Sequence, residues 1–249
     1  MFRIVFITLL LNLFSSLPLS AQPCMSMHVV LNTAAGYTDE AGDISGFHFD
    51  YLSALEEISG LCMDKKLLPY PRAKRNIEMG VHDGGILARS TDLDNEVEYV
   101  SKLLISKLVV LPRKGLSLNN YQDLSNIKIA RVRKLNLGDV LDNDPNLVFV
   151  EVSDYEQGLQ LLNRGRVDAI AGNALGLSTA IEKLNMFAEI NALQKLTISE
   201  REVWFVLSKK SKNLNKIDQL KEAAQIIINR GVLDTILKKY FGENWKLVD

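Results

Sequence analysis

The sequence predicts an α/β fold of two similar lobes facing each other across a cleft, and three observations predict it. A helix ending on glycine, an aspartate three residues on, a short apolar strand and a polar exit occur within Pro69–Thr91 and again about eighty-five residues later, within Ser153–Asn173. Both strands lack polar alternation, as strands do when helices cover both sheet faces. After the second copy, an apolar strand and two amphipathic helices bring the chain back to its first lobe.

The chain of 249 residues is 47% hydrophobic and 24% charged, which suits a soluble globular protein of one large or two small domains. A formal charge of -1 leaves no electrostatic footprint for nucleic acid. Residues 1–21 carry Arg3, an apolar run from Ile4 to Phe14, and a polar, proline-containing stretch ending on Ala21. This reads as a cleavable secretory leader, because the run falls short of the roughly 20 residues a membrane span needs. Pro23 stands where a lipoprotein would need a small residue before Cys24. The mature chain is therefore expected free in the periplasm, as a monomer.

Met27–Thr33 reads as the first strand and Met63–Leu68 as the second. Between them Asp50 reads as the cap of a helix whose stripe is Leu52, Leu55 and Ile58, ended by Gly60. The only cysteines, Cys24 and Cys62, each lie just before one of these strands. Parallel neighbours sit about 4.8 Å apart, so a disulfide is expected. The loop Asn32–Phe49 leaves the carboxyl end of the first strand, where Tyr37 and Phe47 either line a ligand pocket or pack beneath the loop; Phe49 is expected to pack. Pro71 suits a first helical turn, Ala73 and Ile77 share a face, and Gly80 suits the left-handed position past the last turn. Gly84–Ala88 follows as a buried strand, and Arg89 stands at its carboxyl end, where open α/β sheets bind ligands.

Ser101–Leu111 reads as a strand leaving the first lobe, with Pro112–Gly115 as connector. The expected division is 22–110 with 200–249 in the first lobe and 111–199 in the second. Ile127–Ala130 opens the second lobe, and Arg133, Lys134 and Asn136 precede a helix starting near Leu137, as an anion site or as a solvated charge cluster. Leu147–Val150 is a strand, Ser153 caps the repeated helix, and Ala169–Gly172 leads to Asn173. A helix over Gly176–Ala192, strands over Leu196–Ile198 and Glu202–Ser208, and helices over Leu214–Asn229 and Val232–Phe241 complete the chain. Two crossings between lobes make a hinge.

Taken in order, Gly46–Asp50, Gly80–Thr91, Tyr121–Leu124, Gly165–Ala169 and the close from Gly231 to Phe241 resemble the extracellular solute-binding proteins of family 3, in a divergent branch. The resemblance implies a two-lobed periplasmic-binding-protein-like (type II) fold. It also implies a small-molecule ligand, no cofactor, and a membrane partner that is an ABC-type permease or a signalling protein. In such proteins a Thr-x-x-Arg presents the arginine that grips an amino acid carboxylate; here Thr91 is followed by Asp94 instead. The resemblance therefore shifts the clamp to Arg89, with Arg72 as second choice, since a guanidinium grips two oxygens at once. Asn173 stands where the family offers an aspartate to the ligand amine, and Lys134-Leu135-Asn136 replaces its anion loop. With Arg72, Arg89, Arg133 and Lys134 near the cleft, an anionic ligand is expected.

No catalytic constellation emerges. His28, His48 and His82 lack metal-ligand spacing, and Gly176–Ala180 misses the nucleophile elbow because its last residue is not glycine. Some relatives of this fold act as dehydratases, but a binding role is the expectation.

Overall fold

The computed structural model describes residues 23–31, 34–133, 135, 137–191 and 194–243. The expected leader lies outside them, as do Lys134 and Asn136. Ten strands form: β1 Met25–Val30, β2 Tyr37–Thr38, β3 Ile44–Ser45, β4 Met63–Leu68, β5 Gly84–Ala88, β6 Val97–Pro112, β7 Lys128–Val132, β8 Val148–Val152, β9 Ala169–Asn173 and β10 Leu196–Ser208. Among the described residues seven α-helices accompany them: α1 Phe47–Ser59, α2 Tyr70–Glu78, α3 Asp139–Asp142, α4 Tyr155–Asn163, α5 Ala174–Leu184, α6 Ile217–Asn229 and α7 Val232–Phe241.

Eight strands follow the order β4-β1-β5-β10-β6-β9-β7-β8. Hydrogen bonding is thus continuous, but the order is two matching halves. In one, β4, β1 and β5 are parallel and β10 runs against β5; in the other, β8, β7 and β9 are parallel and β6 runs against β9. The halves meet where β6 and β10 pair with each other as long antiparallel strands. Opposite Val203–Leu207, β5 extends the first half; beside Leu108–Pro112, β9 extends the second. Between these, Ile105–Lys107 and Glu200–Glu202 have each other as ladder partners. The strand β6 therefore runs past the first half without a break at Pro112.

Each half has apolar clusters on both faces of its strands, which is why the strand sequences do not alternate. In the first, Met27, Leu52, Phe205 and Leu220 pack on one face and Ile77, Leu87 and Val206 on the other. The second pairs Val109, Leu159, Ile170 and Leu177 against Val110, Leu124, Ile129 and Ala171. Fully burying a side chain such as Leu52 or Ile129 contributes about 1.5–3 kcal/mol.

The repeated turns are alike in detail. Gly80 and Gly165 both take the left-handed conformation, at φ 71 and 64. Asp83 then accepts a hydrogen bond from the Ser26 amide on β1 (2.7 Å), and Asp168 accepts one from Lys128 on β7 (3.0 Å). Each aspartate ties the start of its own strand to the neighbouring one. Cys24 and Cys62 form the expected disulfide, with Cα atoms 4.6 Å apart beside the parallel β1–β4 pair.

Several local expectations are corrected. Asp50 does not cap α1, which starts earlier at Phe47 with Gly46 before it; the carboxylate instead accepts from Tyr240 (2.8 Å) and Lys239 (2.7 Å), tying α1 to the end of α7. Asp154, not Ser153, caps α4 by accepting from the Gln157 amide at 2.7 Å. Asn185, left-handed at φ 53, ends α5 well before Ala192. The two strands expected between Leu196 and Ser208 are one.

Candidate functional site

A cavity of about 410 Å³ lies where the two halves face each other. The first half contributes Phe47 and His48 from the start of α1, Tyr70 from α2, Ile86–Ala88 at the end of β5, and Phe241 from α7. Tyr155, Asn173, Leu175 and Gly176 close it from the second half, and Leu104, Ser106 and Val203 form its floor on β6 and β10. A second cavity of about 270 Å³ shares Ser106, Leu135 and Asn173 with the first and adds Leu108, Leu137, Gly138, Ser199 and Arg201. The larger chamber is mostly apolar, with a few polar groups to fix orientation, the usual composition of a small-molecule site.

Asn173 sits at the junction of the two cavities. As the residue before α5 it accepts with Oδ1 from the amides of Leu175 (3.1 Å) and Gly176 (3.3 Å). Its Nδ2 donates to Ser106 Oγ at 2.8 Å, and its backbone amide donates to the Tyr155 hydroxyl at 3.0 Å. The oxygen expected to receive a ligand amine is thus already engaged as a helix cap, and the remaining Nδ2 hydrogen is a donor. Tyr155 reaches this place because Gly172 and Gly176 are bare: a Cβ on either would lie 2.4 or 2.7 Å from its ring.

Phe47 lies in the cavity wall as well as in the core, edge-on to Phe241. Beside it the buried His48 stays neutral, its pKa lowered from 6.5 to about 3, chiefly by burial and secondarily by a charge on His28. Its Nδ1 has no hydrogen-bond partner among the described residues. His28, packed against Gly85, is lowered to about 4 for the same leading reason.

The other expected contacts are dispersed. Arg89 does not line either cavity. Its half-exposed guanidinium lies 3.6 Å from both Asp94 and Glu202 and stacks 4.9 Å from the Tyr99 ring centroid. Alternation explains the placement: Ala88 shares the cavity face with Ile86, so the next residue turns to the opposite face. Arg72 is exposed on the first turn of α2, and among the described residues no ion pair or hydrogen bond engages its side chain. Thr91 is exposed in the turn after β5, Tyr37 pairs with Ser45 in the small β2–β3 sheet, and Arg133 is an exposed neighbour of Glu151 at 3.6 Å. None of these three lines the cavities. Among the described residues no group of His, Cys, Asp and Glu is placed to hold a metal ion, and no helix is long and apolar enough to cross a membrane.

No protein-family model and no curated protein sequence matches the chain. Solved structures do. The second substrate-binding domain of a putative amino acid ABC transporter from Streptococcus pneumoniae superposes with a TM-score of 0.65 at 14% identity, covering 88% of this chain and 100% of that one. The second substrate-binding domain of GlnP from Lactococcus lactis, in an open conformation, gives 0.63 at 16% identity over 88% and 94%. This chain has the two-lobed periplasmic-binding-protein fold. A histidine kinase sensor domain with similarity to periplasmic binding proteins shares that fold too, at 0.58 and 14% identity over 89% and 96%.

In this periplasmic-binding-protein fold the cavity residues that the sequence does not single out include Tyr70, Ser106, Tyr155 and Arg201. Ser106 and Arg201 lie in the crossing strands, in stretches without a motif. Tyr155 opens α4, where it reads as one more apolar helix residue. His48 was visible only as part of an aromatic-rich stretch.

Proposed function

We propose that the chain is an exported solute-binding protein, which holds a small molecule between its halves and presents the closed form to an ABC-type importer. The halves, expected as 22–110 with 200–249 against 111–199, would close about the β6–β10 ribbon, with the boundary drawn back to Ile105–Lys107 because Val109 and Val110 pack within the second half. The observation that carries this reading is the cavity itself. It is walled by both halves, opens at the carboxyl ends of β5 and β9, and is spanned by two strands that leave room for a change of angle. The leader-like first 21 residues support export to the periplasm, and the substrate-binding domains among the structural neighbours support delivery to a permease. Phe47 and Asn173 remain contacts in this reading, and no catalytic step is assigned.

A second reading, a sensory domain acting through a membrane signalling partner, is favoured by the histidine kinase sensor domain that shares the fold. Co-purification from membranes separates the two, since recovery of a permease and its ATPase supports the first and recovery of a kinase supports the second.

The ligand-capture reading is tested by thermal-shift screening of amino acids, dicarboxylates and related anions, followed by X-ray scattering on any hit. A ligand that raises the melting midpoint and reduces the radius of gyration is expected. A panel without a hit, or a ligand that leaves the shape unchanged, overturns it.

A further inference from the structure

Two arginines stand near the crossing of the halves, and the period-two alternation of β10 sends them to opposite sides. Arg89 donates its backbone amide to the Glu202 carbonyl at 2.7 Å, and its side chain joins Glu202 and Tyr99 on the face away from the cavity. Arg201, one residue earlier in β10, pairs directly opposite Ser106 in the ladder. Directly opposed residues project to the same face, so Arg201 shares the face of Ser106, Leu104 and Val203, the cavity floor. It lines the smaller chamber, whose wall also includes the Ser106–Asn173 hydrogen-bonded pair. Among the described residues no ion pair or hydrogen bond engages its guanidinium, whereas that of Arg89 has carboxylates on two sides.

Across both chambers, Arg201 is the single charged side chain among the described lining residues. A carboxylate to balance a ligand ammonium is not among them. The larger chamber instead offers mostly apolar walls with neutral polar groups, His48, Tyr70, Ser106, Tyr155 and Asn173. An ammonium drawn into such a wall would lose hydration without a counter-charge, which disfavours it. An anion next to a guanidinium gains charge-assisted hydrogen bonds.

We infer that Arg201, through the cavity it shares with Ser106 and Asn173, is the anion contact of the cleft, and that the ligand is a monocarboxylate with an apolar body rather than a zwitterionic amino acid. This rests on the reading of the cleft as a ligand site. The carboxylate lies in the smaller chamber against Arg201 and the free Nδ2 hydrogen of Asn173, and the apolar body fills the space between Phe47, Leu104 and Leu175.

The test uses matched probes on the purified chain: phenylacetate against phenylacetamide, 4-methylpentanoate against 4-methylpentanamide, and the amino acids phenylalanine and leucine. The carboxylates are expected to raise the melting midpoint more than their amides or the amino acids do. Arg201→Ala is expected to weaken carboxylate binding about tenfold to a hundredfold, Arg201→Lys to restore part of it, and Arg89→Ala to leave it intact. The weaker binding of the amides should be equal in wild type and Arg201→Ala, which a general structural loss would not preserve. Amides or amino acids that bind as well as the carboxylates, carboxylates that fail to bind, or an Arg201→Ala variant that binds them normally would each overturn the inference. If the broader amino acid and dicarboxylate panel yields a ligand in that case, the receptor reading survives; if nothing binds, both fall together.

Discussion

The turn into β5 and the turn into β9 are built alike and end differently. Both have a left-handed glycine, an aspartate holding the neighbouring strand, and a buried apolar strand. In the second copy the polar exit residue, Asn173, comes five residues after the aspartate and faces the cavity; in the first, Arg89 comes six residues after and faces away. Ala88 is the true counterpart of Asn173. One residue of phase in a strand separates a cavity-lining side chain from a surface ion pair, so two turns can match closely while the polar residues beyond them take opposite faces.

The halves also differ in how they respond to conditions, and four experiments break or sharpen the comparison. The largest effect is expected from acid. All three histidines belong to the first half, and His28 and His48 are held neutral there, with pKa values of about 4 and about 3 against 6.5 when exposed. The unfolded chain therefore takes up these protons near pH 6.5 while the fold resists. Stability is complete above that pH and falls as pH drops toward 4, by up to about 1.4 kcal/mol per pH unit for each histidine. Amide exchange from pH 7 to pH 4.5 should show the first half losing protection before the second, and His48→Gln should reduce the difference; equal loss in both halves would contradict it.

Next in size is the disulfide, which closes a loop with a sequence separation of 38 in the first half and has no counterpart in the second. Replacing both cysteines by alanine should cost about 2–4 kcal/mol in urea unfolding. Gly84 and Ala169, the first residues of β5 and β9, give a smaller contrast. A Cβ on Gly84 would lie 2.5 Å from the Val206 carbonyl oxygen, so Gly84→Ala should cost about 1–3 kcal/mol, whereas Ala169→Gly should cost about 0.5–1 kcal/mol. The smallest stability effects belong to the exits themselves. Asn173→Ala removes a helix cap, at about 1 kcal/mol, together with ligand-induced stabilisation. Arg89→Ala, on the surface, should move the melting midpoint by less than about 2 °C and leave ligand binding in place.

Much of this molecule was legible in its sequence because its signals are local. The boundaries of β4, β5 and α7 and the glycine ends of α1 and the repeated helices follow from residues within a few positions of each other, and the pairing of Cys24 with Cys62 from the place of each cysteine just before its own strand. The features that escaped depend on distant partners. Asp50 has the form of a cap, but its partners Tyr240 and Lys239 lie at the other end of the chain. Ser199-Glu200-Arg201 falls between the two expected strands because it is polar throughout, yet it is the middle of β10, where neither β5 nor β9 lies alongside and solvent reaches the ladder. The face taken by Arg89 could have been counted from Asp83; the face of Arg201 could not, because the strand containing it was not recognised.

That bare two-strand stretch has a mechanical consequence. With Ile105–Lys107 laddered to Glu200–Glu202, neither strand can slide past the other without breaking backbone hydrogen bonds. Sideways displacement of the halves is therefore costly, and torsion or flexure of the pair is the soft coordinate. Irregular register at Thr197/Ser199 and Val203/Trp204 brackets this stretch on β10 and localises the compliance to a few residues. Because Ser106 and Arg201 are part of the bending element itself, a molecule held against them would report directly on its curvature, without any relay through the rest of the protein.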